Sequence, residues 1–121
     1  CCVVDHNALG PRGEDLAADH LARSGYAVLE RNWRDRTCEI DIIARHGATI
    51  VFVEVKTRRS TRHGSPAQAV TARKLQHMRR GAVAWLACHR TACDGIRLDV
   101  ISVLLPGRGP AVIEHITGVG Q

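Results

Sequence analysis

Two runs of β-branched residues, each carrying carboxylates and separated by a short turn, constrain this chain more than any other feature. They are Cys38 to Arg45 and Ile50 to Thr57, on either side of His46-Gly47-Ala48-Thr49. Apolar alternation around a glycine-containing turn predicts a β-hairpin. Side chains on a strand alternate between faces, so Glu39 and Asp41 share a face of the first strand, and Glu54 and Lys56 share one of the second. If Arg45 and Ile50 close the loop as a pair, antiparallel counting sets Asp41 opposite Glu54 and Glu39 opposite Lys56. All four then share one face, whereas an odd loop length would split them.

Directly opposed Cβ atoms lie about 4.5–5.5 Å apart, near enough for two carboxylates to share a divalent ion. Like charges opposed on a sheet repel, so something must compensate them. A hard cation such as Mg²⁺ or Mn²⁺ accepts carboxylate and carbonyl oxygens while keeping several waters. Asp41, Glu54 and the backbone carbonyl of Val55 are the expected ligands, Glu39 supports them, and Lys56 projects beside the ion toward an attacking water. The plainer reading pairs Glu54 with Lys56 or a loop arginine on a solvated face. Glu14 falls in the core-side arc of a predicted helix, among Ala17, Ala18, Leu21 and Ala22. It is either a helix-start carboxylate favoured by the dipole or a further ligand of the same ion.

The rest of the chain supplies a small α/β domain. Helical spacing runs over Gly13–Ser24 and Gln68–His89, and strand patterns over Tyr26–Trp33, Ile96–Leu105 and Ala111–Ile116. The expected order is α-β-β-β-α-β-β. With 121 residues, 45% hydrophobic and 24% charged, one packed domain is expected. It spans 12–117, with a flexible N-terminal segment over 1–11 and a flexible tail over 118–121. The opening Cys1-Cys2, without an initiator methionine, reads as a fragment or a processed product. No apolar run approaches the roughly 20 residues of a membrane span, so no membrane partner is expected. Five cysteines without scaffold or zinc-ribbon spacing fit a reducing cytoplasm.

Seventeen basic against twelve acidic residues give a net charge of +5, which favours polyanionic partners, nucleic acid first. Fifteen of the seventeen are arginine, so Lys56 and Lys74 stand out. Arg58, Arg59 and Arg62 follow Lys56 directly, where a phosphate backbone would lie. Arg73, Lys74, His77 and Arg80 form a basic face opposite the Leu75/Met78/Leu86 stripe and face DNA or water. Asp99, inside an apolar run, reads as a strand residue bonded to a neighbouring loop.

Gly13-Glu14 at a helix start, Cys38-Glu39-Ile40-Asp41 and Val51-Phe52-Val53-Glu54-Val55-Lys56-Thr57-Arg58 together resemble the YraN family of small bacterial proteins. The likeness continues through Gly64-Ser65-Pro66, the helix with Lys74, and Leu98-Asp99-Val100. Cys38 departs from it, standing where the family usually carries glycine. The resemblance implies a restriction-endonuclease-like mixed sheet flanked by helices. It also implies a metal-dependent endonuclease hydrolysing DNA, with branched or damaged DNA in repair or recombination as candidate substrate. Asp41, Glu54 and Lys56 would be its catalytic set and Glu14 an accessory acid. The alternative is a non-catalytic DNA-binding accessory module that keeps the fold. A homodimer pairing through Ala111–Ile116 at a sheet edge is a further expectation.

Overall fold

The computed structural model describes residues 9–59 and 70–120. Its elements are α1 (Leu9–Arg23), β1 (Ala27–Arg34), β2 (Glu39–His46), β3 (Thr49–Arg58), α2 (Ala72–His89), β4 (Gly95–Leu104) and β5 (Val112–Ile116). The order matches the sequence pattern. The strands form one mixed sheet, β1-β2-β3-β4-β5, in which only β3 and β4 run parallel. A parallel pair needs a crossover, and α2 lies in the segment that joins them.

A helix covers each face. Ala17 and Leu21 of α1 bury against Ile42, Ala44, Val51, Val53, Ile101 and Val103, while Met78, Ala82 and Trp85 of α2 bury against Ile40, Ile43, Ile50, Phe52 and Leu98. Ile50–Val53 are buried without a break because both faces of β3 are covered. Gly81 brings α2 close to the sheet: a Cβ there would lie 2.8 Å from Ile40 Cδ1.

Three features differ from expectation. The first helix begins at Leu9, so residues 9–11 belong to it rather than to a loose segment. Pro11 does not prevent this, because a first-turn residue has no intrahelical use for its N–H. Ala22, placed in the core arc, is exposed. The tail is tethered through Gly120: Val119 N–H donates to Leu98 O (2.8 Å), Arg79 donates to Gly120 O (3.0 Å) and Gly118 N–H donates to Asp99 Oδ1 (3.1 Å).

Asp99 explains part of that order. It is fully buried and grips Arg97 through two bonds of 2.8 Å, and its Oδ2 lies 2.7 Å from His115 Nε2. Arg97 also donates to Tyr26 Oη at 2.6 Å, and His20 Nε2 sits 3.3 Å from His115 Nδ1. Burial pushes the Asp99 carboxyl up, but His115, Arg97 and the Gly118 N–H outweigh it and hold it below the usual carboxylate range. The sequence reading of Asp99 as a residue that ties down a loop agrees with these bonds.

Gly13 sets the seat of α1. A Cβ at this position would fall 1.8 Å from Thr57 Oγ1 and 2.9 Å from its Cβ, so only glycine lets the helix rest on the end of β3. Gly13→Ala should lift the helix and cost about 1–3 kcal/mol, as overpacking does. Urea titration measures it; an unchanged midpoint would show that Thr57 rotates away freely.

Candidate functional site

The hairpin register is the expected one as far as it goes. Arg45 pairs with Ile50 and Ile43 with Phe52. His46 also pairs with Thr49, which leaves Gly47-Ala48 as a two-residue loop that keeps the parity. The ladder ends at Ile42↔Val53, however, and the further pairs Asp41–Glu54 and Glu39–Lys56 are not formed.

A kink shared by two strands is the physical reason. Ile42 packs under α1, yet Ile40 and Ile43 both pack under α2, so alternation slips around Asp41. On β1, Arg31 pairs with Ile42 and Trp33 with Ile40, but the intervening Asn32 and Asp41 make no pair. Asn32 has φ 54°, a left-handed conformation that asparagine tolerates better than most residues. Freed from the ladder, Asp41 Oδ2 accepts the Val55 N–H at 2.8 Å. An extended residue sends its N–H and C=O to the same side, so the Val55 carbonyl also faces the gap where β2 has left β3.

Asp41 and Glu54 line one side of a cavity of about 480 Å³, together with Glu39, Lys74, His77 and the Arg34–Cys38 loop. Burial and then the neighbouring Glu54 push the Asp41 carboxyl up to about 7; Val55 N–H and Lys74 pull against this, and Glu14 adds to it. Glu54 lies 3.0 Å from Lys74 Nζ. Thr71 fixes that lysine, since its hydroxyl caps α2 by accepting the Lys74 N–H at 3.1 Å. The loop wall is shaped by Asp35, whose Oδ1 accepts the N–H groups of Thr37 (2.9 Å) and Cys38 (2.8 Å). Those two bonds hold its carboxyl below the ordinary range.

Glu14 is half-buried and lies beyond the first turn of α1, so the helix-start role does not apply. Burial pushes its carboxyl up, while the Asn32 side chain and Arg31 pull it down; Asp15 and Glu39 push it up further. Its charge is felt by Asp41 but it does not line the cavity.

The other assignments divide. Lys56 is half-buried on β3, lies outside the cavity lining and makes no ion pair with a described residue. The plainer alternative, Glu54 paired with Lys56 or a loop arginine, gives way to a Glu54–Lys74 pair, because the first turn of α2 reaches the carboxylate. Lys74, expected on the outer basic face, is half-buried and turned inward to the acids. Arg59 lines a separate hollow with Arg12. The Arg58 carbonyl accepts the Leu105 N–H at 2.7 Å, continuing the β3–β4 pairing past Leu104. Arg62 lies outside the described residues.

Sequence reasoning missed Arg34, Arg36 and Asn32 and placed His77 outside. The His77 signal was available, since it sits three positions after Lys74 and so on the same helix face; nothing in the local pattern marked Asn32.

Among the described residues, no three His, Cys, Asp or Glu side chains are grouped closely enough to hold a metal ion by themselves. The donor set still fits a hydrated hard cation, which needs only one or two carboxylates and keeps its waters. Burial and the neighbouring Glu54, only partly offset by the Val55 N–H and Lys74, leave the Asp41 carboxyl near 7, so that added positive charge beside it would favour its ionised form. No helix among the described residues is long and apolar enough to cross a membrane.

Comparison with known proteins places these elements in a family. The model described as "Uncharacterised protein family UPF0102" matches residues 13–103, from the seat of α1 to β4. A UPF0102 protein of Frankia casuarinae is 50% identical over 93% of this chain and 95% of its own length. Relatives from Streptomyces griseus (52% identical; 93% and 95% covered) and Nocardia farcinica (50% identical; 97% and 92% covered) carry the same name. With the matched span running from within α1 nearly to the end of β4, and about half of the aligned residues identical to those of these relatives, the chain belongs to the UPF0102 family.

Proposed function

We propose that the protein is a divalent-cation-dependent endonuclease that hydrolyses DNA phosphodiester bonds. The observation that carries this reading is the juxtaposition of Asp41 and Glu54 at the kinked end of the hairpin, with Asp41 pushed to about 7 by burial and by its partner. Asp41, Glu54 and the Val55 carbonyl would hold Mg²⁺ or Mn²⁺, with Glu14 contributing charge from α1. Such an ion supplies Lewis-acid polarisation of the phosphoryl group and lowers the pKa of water.

The chain's own groups do the rest. Lys74 pairs with Glu54, and with a cation held by that carboxylate its ammonium would be free to bind a phosphate oxygen. Arg34 and Arg36, exposed on the cavity rim, give the scissile strand positive charge to run along. Lys56 lies outside the cavity lining but alternates onto the same face of β3 as Glu54, and would orient the attacking water from beside the cavity. The likeness to YraN-type nuclease-like proteins supports this assignment, with branched or damaged DNA as substrate class and a cytoplasmic setting consistent with three free thiols among the described residues. A homodimer paired through β5, an edge strand of the sheet, remains part of this reading.

One observation favours the accessory-module reading: the 3.0 Å Lys74–Glu54 pair already satisfies one acid without a cation. A panel of branched, single-stranded, nicked and duplex DNAs with Mg²⁺ or Mn²⁺ separates the two. Cleavage by wild type is expected, falling at least about 10³-fold in Glu54→Ala. Lys56→Ala should lose cleavage with DNA binding intact, and Lys56→Arg should fare little better because a planar guanidinium replaces a compact ammonium. Salt-sensitive binding without cleavage of any substrate in the panel would establish the accessory module instead.

A further inference from the structure

A second basic hollow lies at the end of the sheet, outside the carboxylate cavity. It has a volume of about 270 Å³ and is lined by Arg12 of α1, Arg59 just past β3, and the loop carrying Leu105, Gly107 and Gly109. Three separate contacts assemble it. Gly13 seats α1 on Thr57, which brings Arg12 to the end of β3. The Leu105 N–H, bound to Arg58 O at 2.7 Å, draws the loop to the same place, and Leu105 itself is buried in the α1-side core.

Its charge is unbalanced. Among the described residues no carboxylate lines the hollow, and neither arginine pairs with a described carboxylate. Two exposed guanidinium groups from different elements converge on one concavity whose third wall is the loop after β4, two of its residues being glycines that let an oxyanion approach closely. Guanidinium forks match phosphate oxygens in a way that ammonium groups do not.

We propose that this hollow is a second phosphate subsite, which holds the nucleic-acid backbone away from the bond that is cut. The inference rests on the nuclease reading for its substrate but not for its chemistry. Glu54 and Arg59 are five residues apart along β3 and its continuation, roughly 16 Å at about 3.3 Å per residue. At about 3.4 Å of rise per nucleotide, the gripped phosphate lies some four to five nucleotides from the scissile one. Arg12 and Arg59 are thus positioning residues that set a minimum substrate length.

The test is fluorescence anisotropy of the full chain in EDTA with a labelled 20-base-pair duplex, across 50–300 mM NaCl, for wild type and Arg12→Ala/Arg59→Ala. The double variant should bind at least about tenfold more weakly at low salt, with the slope of log affinity against log salt reduced by about 1–2. Arg12→Lys/Arg59→Lys should recover most of the slope. Arg23→Ala, which removes a distant arginine paired with Asp19, should match wild type. Cleavage by the alanine double variant should show a raised KM with kcat preserved on the 20-mer, and no difference from wild type on substrates with fewer than four nucleotides beside the cut.

A double variant that binds the duplex as wild type does overturns the subsite and leaves the nuclease reading standing. Wild type that binds no DNA overturns both. A loss of binding in the double variant, together with no cleavage by wild type, sinks the nuclease reading and keeps the subsite. Inorganic phosphate supplies the remaining arm: if it binds wild type and not the double variant while duplex affinity is equal, the hollow serves free phosphate and the backbone proposal fails.

Discussion

Asp41→Asn is expected to abolish cleavage and, in the same molecule, to raise thermal stability in EDTA at pH 8. The two effects share one cause. Burial and Glu54 lift the Asp41 carboxyl from an ordinary 3.8 to about 7, so the unfolded chain releases this proton at lower pH than the folded one. Between those values the folded state binds more protons, and stability falls as pH rises. The contribution is fully present below about pH 4 and lost by the time pH has passed through about 7. Asparagine carries no charge to desolvate and so escapes the penalty. A gain of about 1–2 kcal/mol, or roughly 4–10 °C in Tm, is expected at pH 8, shrinking toward zero or reversing near pH 4. Wild type should recover the difference when Mg²⁺ or Mn²⁺ is added, whereas the variant should not respond. Scanning calorimetry at pH 4, 6 and 8 checks this; a variant less stable than wild type at pH 8 in EDTA would show that the Val55 N–H bond outweighs burial of the charge. A strained, charged site that costs stability is how function is commonly installed in a fold.

Asp99→Ala is the largest structural loss expected. The carboxylate is fully buried and receives Arg97 through two nitrogens, His115 and the Gly118 N–H. Removing it leaves Arg97, His115 and that amide without their acceptor. Breaking a buried pair from one side costs about 3–5 kcal/mol, on the order of 10–20 °C in Tm here. Hydrogen exchange should show the Gly118 and Val119 amides losing protection first. The acid limb gives a second readout. Since the Asp99 carboxyl is held below its usual range, its stabilisation is present above about pH 4 and disappears as pH falls through the lowered value. Wild type should therefore lose more stability than the variant on acidification below pH 4. Equal acid sensitivity would remove Asp99 as the anchor, and unchanged cleavage per folded molecule would confirm its purely structural part.

The hairpin was legible because its information is local. β-Branched residues at period two and a glycine in the turn fix both strands, and the buried faces fix their register, since a slip by one residue would expose every apolar side chain. That is why Arg45↔Ile50 and Ile43↔Phe52 could be counted from the sequence. The same counting failed beyond Ile42, where it assumed regular alternation. The kink at Asn32 and Asp41 depends on two strands departing together, and neither strand's pattern carries a trace of the other's dihedral angles. The contacts of the tail escaped the sequence for a similar reason. Gly118-Val119-Gly120 has no periodicity, and its order comes from Asp99, Leu98 and Arg79, some twenty to forty residues away in the chain.

By itself the sequence determined the element order, the hairpin and the presence of Asp41 and Glu54 on adjacent strands, because backbone period and apolar patterning act over a few residues at a time. Only the tertiary structure decided which cation meets which acid. The arrangement gives Lys74 to Glu54, moves Arg59 to a hollow shared with Arg12, and sets Glu14 within electrostatic reach of Asp41. Those partnerships join residues twenty or more positions apart, so they follow from how α1 and α2 dock on the sheet at Gly13 and Gly81, where the absence of a side chain lets the helices come close.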